Sequence, residues 1–128
     1  MSLIDFYNIY CDLKINQQAT IDKFIVNSNI SYKDIFDVSE KIYDISIEDS
    51  LLIQIKIIEL NPKFFDERIR DRILLNVYYD GNLSIYNHLK KRINEIIDED
   101  IKIYLKDMKE SIEEKYMLIG LNIKNIDS

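Results

Sequence analysis

A chain of 128 residues, 47% of them hydrophobic and 31% charged, has the composition of a globular domain and not of a disordered segment. Its net charge of −6 argues against a general nucleic-acid binder, because phosphate backbones are bound by basic faces. A single cysteine excludes an internal disulfide, and two glycines with one proline provide few tight turns for an all-β fold.

The first third of the chain predicts three helices. Ser2 is a candidate N-cap for a first helix that reaches Lys14, and Thr20 opens a short second one. Ser31 followed by Asp34 repeats the capping pattern, since the hydroxyl accepts from a free amide and the acid lies at the positive helix end. This third helix places three apolar residues on one face: Ile35, Val38 and Ile42.

The segment 51–60 has two interpretations. Ser46 and Asp49 form a capping pattern ahead of a run that is apolar on nearly every face, which predicts a buried central helix. Residues 53–57 nevertheless alternate strictly between isoleucine and a polar residue, as in a strand. The cap, the length of the run and the following Asn61-Pro62 favour the helix.

Three further helices are predicted in the second half. Asn61-Pro62 is a suitable helix start, and residues 80–82 (Asp-Gly-Asn) close that helix with a turn. A periodic pattern then continues to Gly120, which is too long for one helix, so we expect a break at the acids 98–100. The predicted inward residues are Phe65, Ile69, Ile73, Val77, Leu83, Tyr86, Leu89, Ile93, Ile97, Ile101, Tyr104, Leu105, Met108, Ile112, Tyr116 and Ile119.

These elements predict an all-α fold, a compact bundle of about six or seven antiparallel helices, with stacked α-hairpins as the alternative. We expect a single helical domain over residues 1–121 and a frayed C-terminal tail over residues 122–128.

Residues that could carry catalysis or hold a metal are sparse. His88 is the sole histidine, and Ser84, four residues earlier, is the one hydroxyl that helical spacing places beside it. With Cys11 as the sole cysteine, a zinc site lacks ligands, and two isolated glycines cannot form a phosphate-binding loop. Residues 80–84 begin like a calcium loop, but Ile85 stands where the turn glycine is needed. The sequence therefore predicts no enzyme, no cofactor and no metal.

Positive charge is concentrated in one part of the chain, because every arginine lies between positions 68 and 92. Arginine and tyrosine are the residues enriched at protein–protein hot spots, although ordinary surface ion pairs and core tyrosines explain the same pattern. The candidate partner-binding residues are Arg68, Arg70, Arg72, Tyr78, Tyr79, Lys90, Lys91 and Arg92.

A group of acidic residues follows this basic region in the sequence. The acidic-face candidates are Glu95, Asp98, Glu99 and Asp100. Glu110, Glu113 and Glu114 form a second cluster of carboxylates. The cluster could support acid–base chemistry, but its more ordinary interpretation is a solvated helix face.

The sequence favours a non-enzymatic protein-binding module, an inhibitor, immunity protein or viral or phage antagonist that blocks a target through charged helix faces. The alternative is a structural or adaptor subunit, including a self-associating helical protein, so a homo-oligomer stays open. We expect a protein partner, no nucleic acid and no membrane, and a cytoplasmic location, since Asp5 and Asp12 interrupt any signal peptide.

Overall fold

The computed structural model describes residues 32–60 and 67–125, and these ranges contain five α-helices and no strand. The prediction of an all-α fold is confirmed for this part of the chain. Five helices are fewer than the six or seven expected, and the helices predicted from Ser2 and Thr20 lie outside the described residues, as do Ser31, Pro62 and Phe65. The helices are α1 (Tyr32–Ile42), α2 (Ile47–Leu60), α3 (Glu67–Asp80), α4 (Leu83–Glu95) and α5 (Glu99–Leu118), followed by a 3-10 turn (Ile123–Asn125).

The chain divides into two units, residues 1–60 and residues 61–128. The prediction of one domain ending at residue 121 is not tested by this division and stays a prediction. In the tail expected to be frayed, residues 123–125 form the 3-10 turn, and Ile123 is buried beside α5. Residues 126–128 lie outside the described part.

In the first unit, α1 packs against α2. The predicted inward face of α1 is buried, and the Asp49 amide donates to Ser46 Oγ at 3.2 Å, which confirms Ser46 as the cap of α2. Segment 51–60 is helical, so the strand interpretation is wrong. Alternating isoleucines are compatible with a helix here because α2 is buried on nearly all sides. Its buried apolar residues are Leu51, Ile53, Ile55, Ile57 and Ile58.

A polar network crosses the α1–α2 contact inside the core. Ser50 Oγ donates to the Ser39 carbonyl oxygen at 2.6 Å, and Gln54 Nε2 donates to Ser39 Oγ at 3.1 Å and to Ser50 Oγ at 3.3 Å. Ser39 Oγ itself donates to the Phe36 carbonyl at 2.6 Å. Because all three polar side chains are buried, these hydrogen bonds replace the ones that the groups would make to water in the unfolded chain.

In the second unit, α5 contacts α3, α4 and the 3-10 turn. The helices share a core to which every one of them contributes, and its most buried apolar members are Ile73, Val77, Ile85, Tyr86, Leu89, Leu105, Met108, Ile112 and Ile123. Within the described ranges, none of the helices is long and apolar enough to cross a bilayer.

The turn between α3 and α4 is built around Gly81. The turn predicted at residues 80–82 is present, and Asn82, which was not predicted as a cap, caps α4 because its side-chain oxygen accepts from the Ile85 amide at 3.0 Å. A Cβ at Gly81 would collide with the Val77 carbonyl oxygen and lie 2.8 Å from Ile112 Cδ1 of α5. Lys115 Nζ also donates to the Gly81 carbonyl, so this turn is held against α5.

The break expected at residues 98–100 is confirmed. Asp98 caps α5 by accepting from the amides of Asp100 at 2.9 Å and Ile101 at 3.2 Å. Because α4 ends at Glu95, Ile97 lies outside it and is 90% exposed, so its predicted inward position is wrong.

Helix α5 ends in a Schellman motif. The Gly120 amide donates to the Met117 carbonyl at 3.0 Å, and the Leu121 amide donates to the Tyr116 carbonyl at 2.9 Å. Gly120 has φ +85°, the left-handed region that glycine adopts without strain. Ile119, predicted to face inward, is the last residue before this glycine and is exposed, which corrects that prediction.

Candidate functional site

Five of the six predicted partner-binding cations already have interactions in the described part of the chain. The Arg70 guanidinium donates to Tyr104 Oη at 3.2 Å and lies 5.4 Å from the centre of its ring, with Asp71 at 3.4 Å. The hydrogen bond to Tyr104 raises the pKa of Arg70 above its ordinary value. Arg70 therefore ties α3 to α5, which is a structural contact.

The cations of α4 also have local partners. Lys90 Nζ lies 5.1 Å from the centre of the buried Tyr86 ring, and Arg92 forms an ion pair of 2.6 Å with Glu95 three residues later. Lys91 is exposed. The side chains of Lys90 and Arg92 are thus engaged along α4 itself.

On α3, Arg68 and Arg72 are exposed, and so is Tyr79 with 69% of its surface accessible. Tyr78 and Tyr79 meet edge to face, with ring centres 5.3 Å apart and planes at 79°. Leu75 is exposed one turn before Tyr79. This part of α3 therefore exposes two large side chains, Leu75 and Tyr79, one turn apart.

Three of the four acidic-face candidates lie at the start of α5. Asp98 is its N-cap, and Glu99 lies 3.7 Å from Lys102 three residues later. Glu95 pairs with Arg92, and Asp100 is exposed in the first turn of the helix. Asp98, Glu99 and Asp100 lie at the positive end of α5 and stabilise it, whereas Glu95 is the last residue of α4.

A carboxylate–phenol pair that the sequence did not predict lies between α4 and α5. Tyr86 Oη donates to Glu113 Oε2 at 2.6 Å, and Lys109 Nζ lies 3.8 Å from the same oxygen. Glu113 is only 7% exposed. Burial, followed by the hydrogen bond and the negative charge of Glu113, raises the pKa of Tyr86 to about 12.

A groove of about 530 Å³ lies beside this pair on the last turns of α5. We call it the acidic groove, and its lining residues are Glu110, Glu113, Glu114, Met117, Leu118 and Lys124. Met117 is 58% exposed and Leu118 is 74% exposed. The groove thus combines accessible apolar side chains with carboxylates.

The acidic groove has two exposed carboxylates, those of Glu110 and Glu114, which we call the outer carboxylates. Within the described ranges, Glu110 and Glu114 have no ion pair, whereas Glu113 has Tyr86 and Lys109. Lys124 is the one cation in the lining, so three carboxylates face one ammonium group. The sequence identified Glu110 and Glu114 as members of a cluster of carboxylates, but it did not identify the exposed apolar residues beside them, Met117 and Leu118.

The described residues offer no cluster of three or more His, Cys, Asp or Glu side chains suited to a metal ion. Ser84 and His88 both have interactions of their own, and Cys11 lies outside the described part.

Comparison with known proteins gives no relative from which a role could be carried over. No protein-family model, no curated protein sequence and no solved structure matches the chain.

Proposed function

We propose that the chain is a non-enzymatic protein-binding module that blocks a target protein through a charged face of α5. The observation that carries this proposal is the acidic groove, where the exposed Glu110 and Glu114 adjoin the exposed Met117 and Leu118. Apolar side chains bordered by charges are the arrangement of a protein interface, with a desolvated centre and a polar rim.

The groove suits a macromolecule better than a small molecule. Sites for small molecules enclose most of the ligand and place a few polar groups around it, whereas Met117 and Leu118 stand exposed at the end of a helix. A partner that covers the end of α5 would bury both side chains. Burial of apolar surface contributes about 25 cal/mol per Å², so these two residues are suitable anchors.

The net charge of −6 supports the further proposal of an inhibitor, immunity protein or antagonist. An acidic surface accelerates encounter with a basic target and disfavours acidic competitors. Arg68, Arg72 and Tyr79 on α3 form a second candidate face of opposite charge.

The test is affinity capture from a lysate of the source organism or its host, followed by an activity assay of the captured protein. Four baits are compared: the unaltered chain, the Glu110→Lys variant, the Glu110→Lys/Glu114→Lys variant and the Asp44→Lys variant. Asp44 is an exposed acid of the first unit, and Asp44→Lys is the charge control for Glu110→Lys, since each changes the net charge by +2. The proposal requires a protein that binds the unaltered chain and loses activity when bound. Purified chain that leaves every captured protein fully active contradicts the blocking role.

Self-association is the second candidate function, and the apolar face of α3 favours it. Leu75 and Tyr79 lie one turn apart and are both more than half exposed, which is suited to an interface between two copies. Light scattering after gel filtration tests this function directly. A dimer that Leu75→Glu converts to a monomer supports it, and a monomer of 15.3 kDa at high concentration contradicts it.

A further inference from the structure

We infer that the acidic groove binds a basic amphipathic helix of the partner, with two Lys or Arg residues one turn apart and an apolar residue on the same face. The inference rests on the proposed protein-binding function and adds the chemistry of the partner. It is carried by the charges and apolar side chains that line the groove.

The spacing of the outer carboxylates matches that of cations on a helix. Glu110 and Glu114 are four residues apart on α5, so their Cβ atoms are about 6 Å apart on one face. Two cations at positions i and i+4 of a partner helix have the same spacing. Because Glu110 and Glu114 have no ion pair in the described part of the chain, no internal pair has to be broken when the cations bind.

Glu113 has a different role in the same groove. Its carboxylate accepts from Tyr86 and lies near Lys109, and it is almost wholly buried, so it stays in place as part of the groove wall. The two outer acids are therefore the groups that are available to pair with a partner.

The far end of the groove fixes the direction of the bound helix. Met117 and Leu118 provide the apolar contact, and methionine adapts to apolar partners of different shape because its side chain is flexible. Lys124 also lines the groove and repels a cation placed beside it. The cations of the partner are thus directed to Glu110 and Glu114, and its apolar residue to Met117 and Leu118.

The inference is tested with a synthetic peptide of about 18 residues, made of Lys, Leu and Ala, with two lysines at i and i+4 and leucines on the same helical face. A peptide of identical composition, reordered so that no such face exists, is the matched probe. Binding is measured by fluorescence anisotropy at low and at physiological salt. We expect the amphipathic peptide to bind about tenfold more tightly than the reordered one.

Four variants distinguish binding at the acidic groove from attraction by the overall negative charge of the chain. We expect Glu110→Lys and Glu114→Lys each to weaken binding about tenfold, and Asp44→Lys, with the same change of net charge, to weaken it less than about twofold. Lys124→Glu removes a repulsion and should strengthen binding several-fold. Circular dichroism of each variant establishes that it is folded.

Two results overturn the inference. Equal weakening by Glu110→Lys and Asp44→Lys, or equal binding of the two peptides, means that only the overall charge attracts the probe. The capture experiment separates this failure from that of the proposed function: a target held equally by the unaltered chain and by Glu110→Lys/Glu114→Lys leaves the protein-binding function standing and excludes the groove.

Discussion

The phenol of Tyr86 on α4 and the carboxylate of Glu113 on α5, 27 positions apart in the chain, share a buried hydrogen bond of 2.6 Å. Both side chains are almost inaccessible to water, and Lys109 lies 3.8 Å from the same carboxylate oxygen. Charged groups in such positions depend on their partners, because a buried acceptor without a donor costs more than the bond itself contributes. The pair therefore sets how α4 and α5 fit together and fixes one wall of the acidic groove.

Tyr86→Phe is expected to lower the free energy of unfolding by about 1 to 3 kcal/mol, because it leaves the Glu113 carboxylate buried with Lys109 as its one remaining partner among the described residues. Urea unfolding followed by circular dichroism measures the change. Tyr79→Phe is the matched control, since Tyr79 is largely exposed, and we expect a change below about 0.5 kcal/mol. Combining Tyr86→Phe with Glu113→Gln should cost less than the sum of the two single changes. Strict additivity would show that the two groups are not coupled.

The same pair makes stability depend on pH in the alkaline range. The folded chain raises the pKa of Tyr86 from 10.0 to about 12, so the folded state holds this proton more tightly than the unfolded state does. The resulting stabilisation is fully present below pH 10 and is lost as the pH rises through the folded-state pKa. Two pKa units correspond to roughly 2 to 3 kcal/mol. The difference in unfolding free energy between the unaltered chain and Tyr86→Phe should shrink above pH 10, and a difference that stays constant up to pH 12 contradicts the assignment.

The two glycines are expected to respond differently to substitution. Gly81→Ala places a methyl group against the Val77 carbonyl oxygen and Ile112, and overpacking of this kind costs about 1 to 3 kcal/mol or more. Gly120→Ala meets no atom within 4 Å, so its cost is the left-handed backbone alone, about 1 kcal/mol. Thermal or urea unfolding of both variants compares them. A larger loss for Gly120→Ala would show that the turn relaxes away from α5.

The polar network of the first unit is expected to be non-additive. Ser39→Ala removes one acceptor of the buried Gln54 amide and should cost about 1 to 2 kcal/mol, because the second acceptor, Ser50 Oγ, lies at 3.3 Å. Gln54→Met removes the amide at similar volume. In the Ser39→Ala/Gln54→Met variant no amide is left without its acceptor, so the double change should cost clearly less than the sum. Equal costs for the sum and the double variant would contradict this account.

Helix starts and ends could be predicted from the sequence where one residue determines them. Ser46 caps α2 as predicted, α5 begins at the break predicted for residues 98–100, and it ends near Gly120, because helix ends depend on local hydrogen bonds that are visible in the order of residues. Segment 53–57 was harder to assign. Its alternation is typical of a strand, and its burial on all sides is a property of the packing around α2.

The candidate site could be predicted from the sequence less fully than the helix ends, because it is formed by tertiary contacts. Glu113 is adjacent to the core residue Ile112, but only the crossing of α4 and α5 brings it to Tyr86. Met117 and Leu118 continue a helical pattern and are nevertheless exposed near the end of α5. The contact of Arg70 with Tyr104, across 34 positions, is likewise a tertiary contact that spacing along the sequence does not reveal, and the partner-binding role predicted for Arg70 stays a prediction.

The contacts around Gly81 have a consequence for local opening of the second unit. Lys115 and Ile112 of α5 hold the turn between α3 and α4 from outside, so that turn cannot open while α5 stays in place. We therefore expect the backbone amides of α3, α4 and the second half of α5 to exchange with solvent deuterium with one common free energy of opening, as a single cooperative segment. A partner bound at the end of α5 would then slow exchange as far away as α3, which it need not touch.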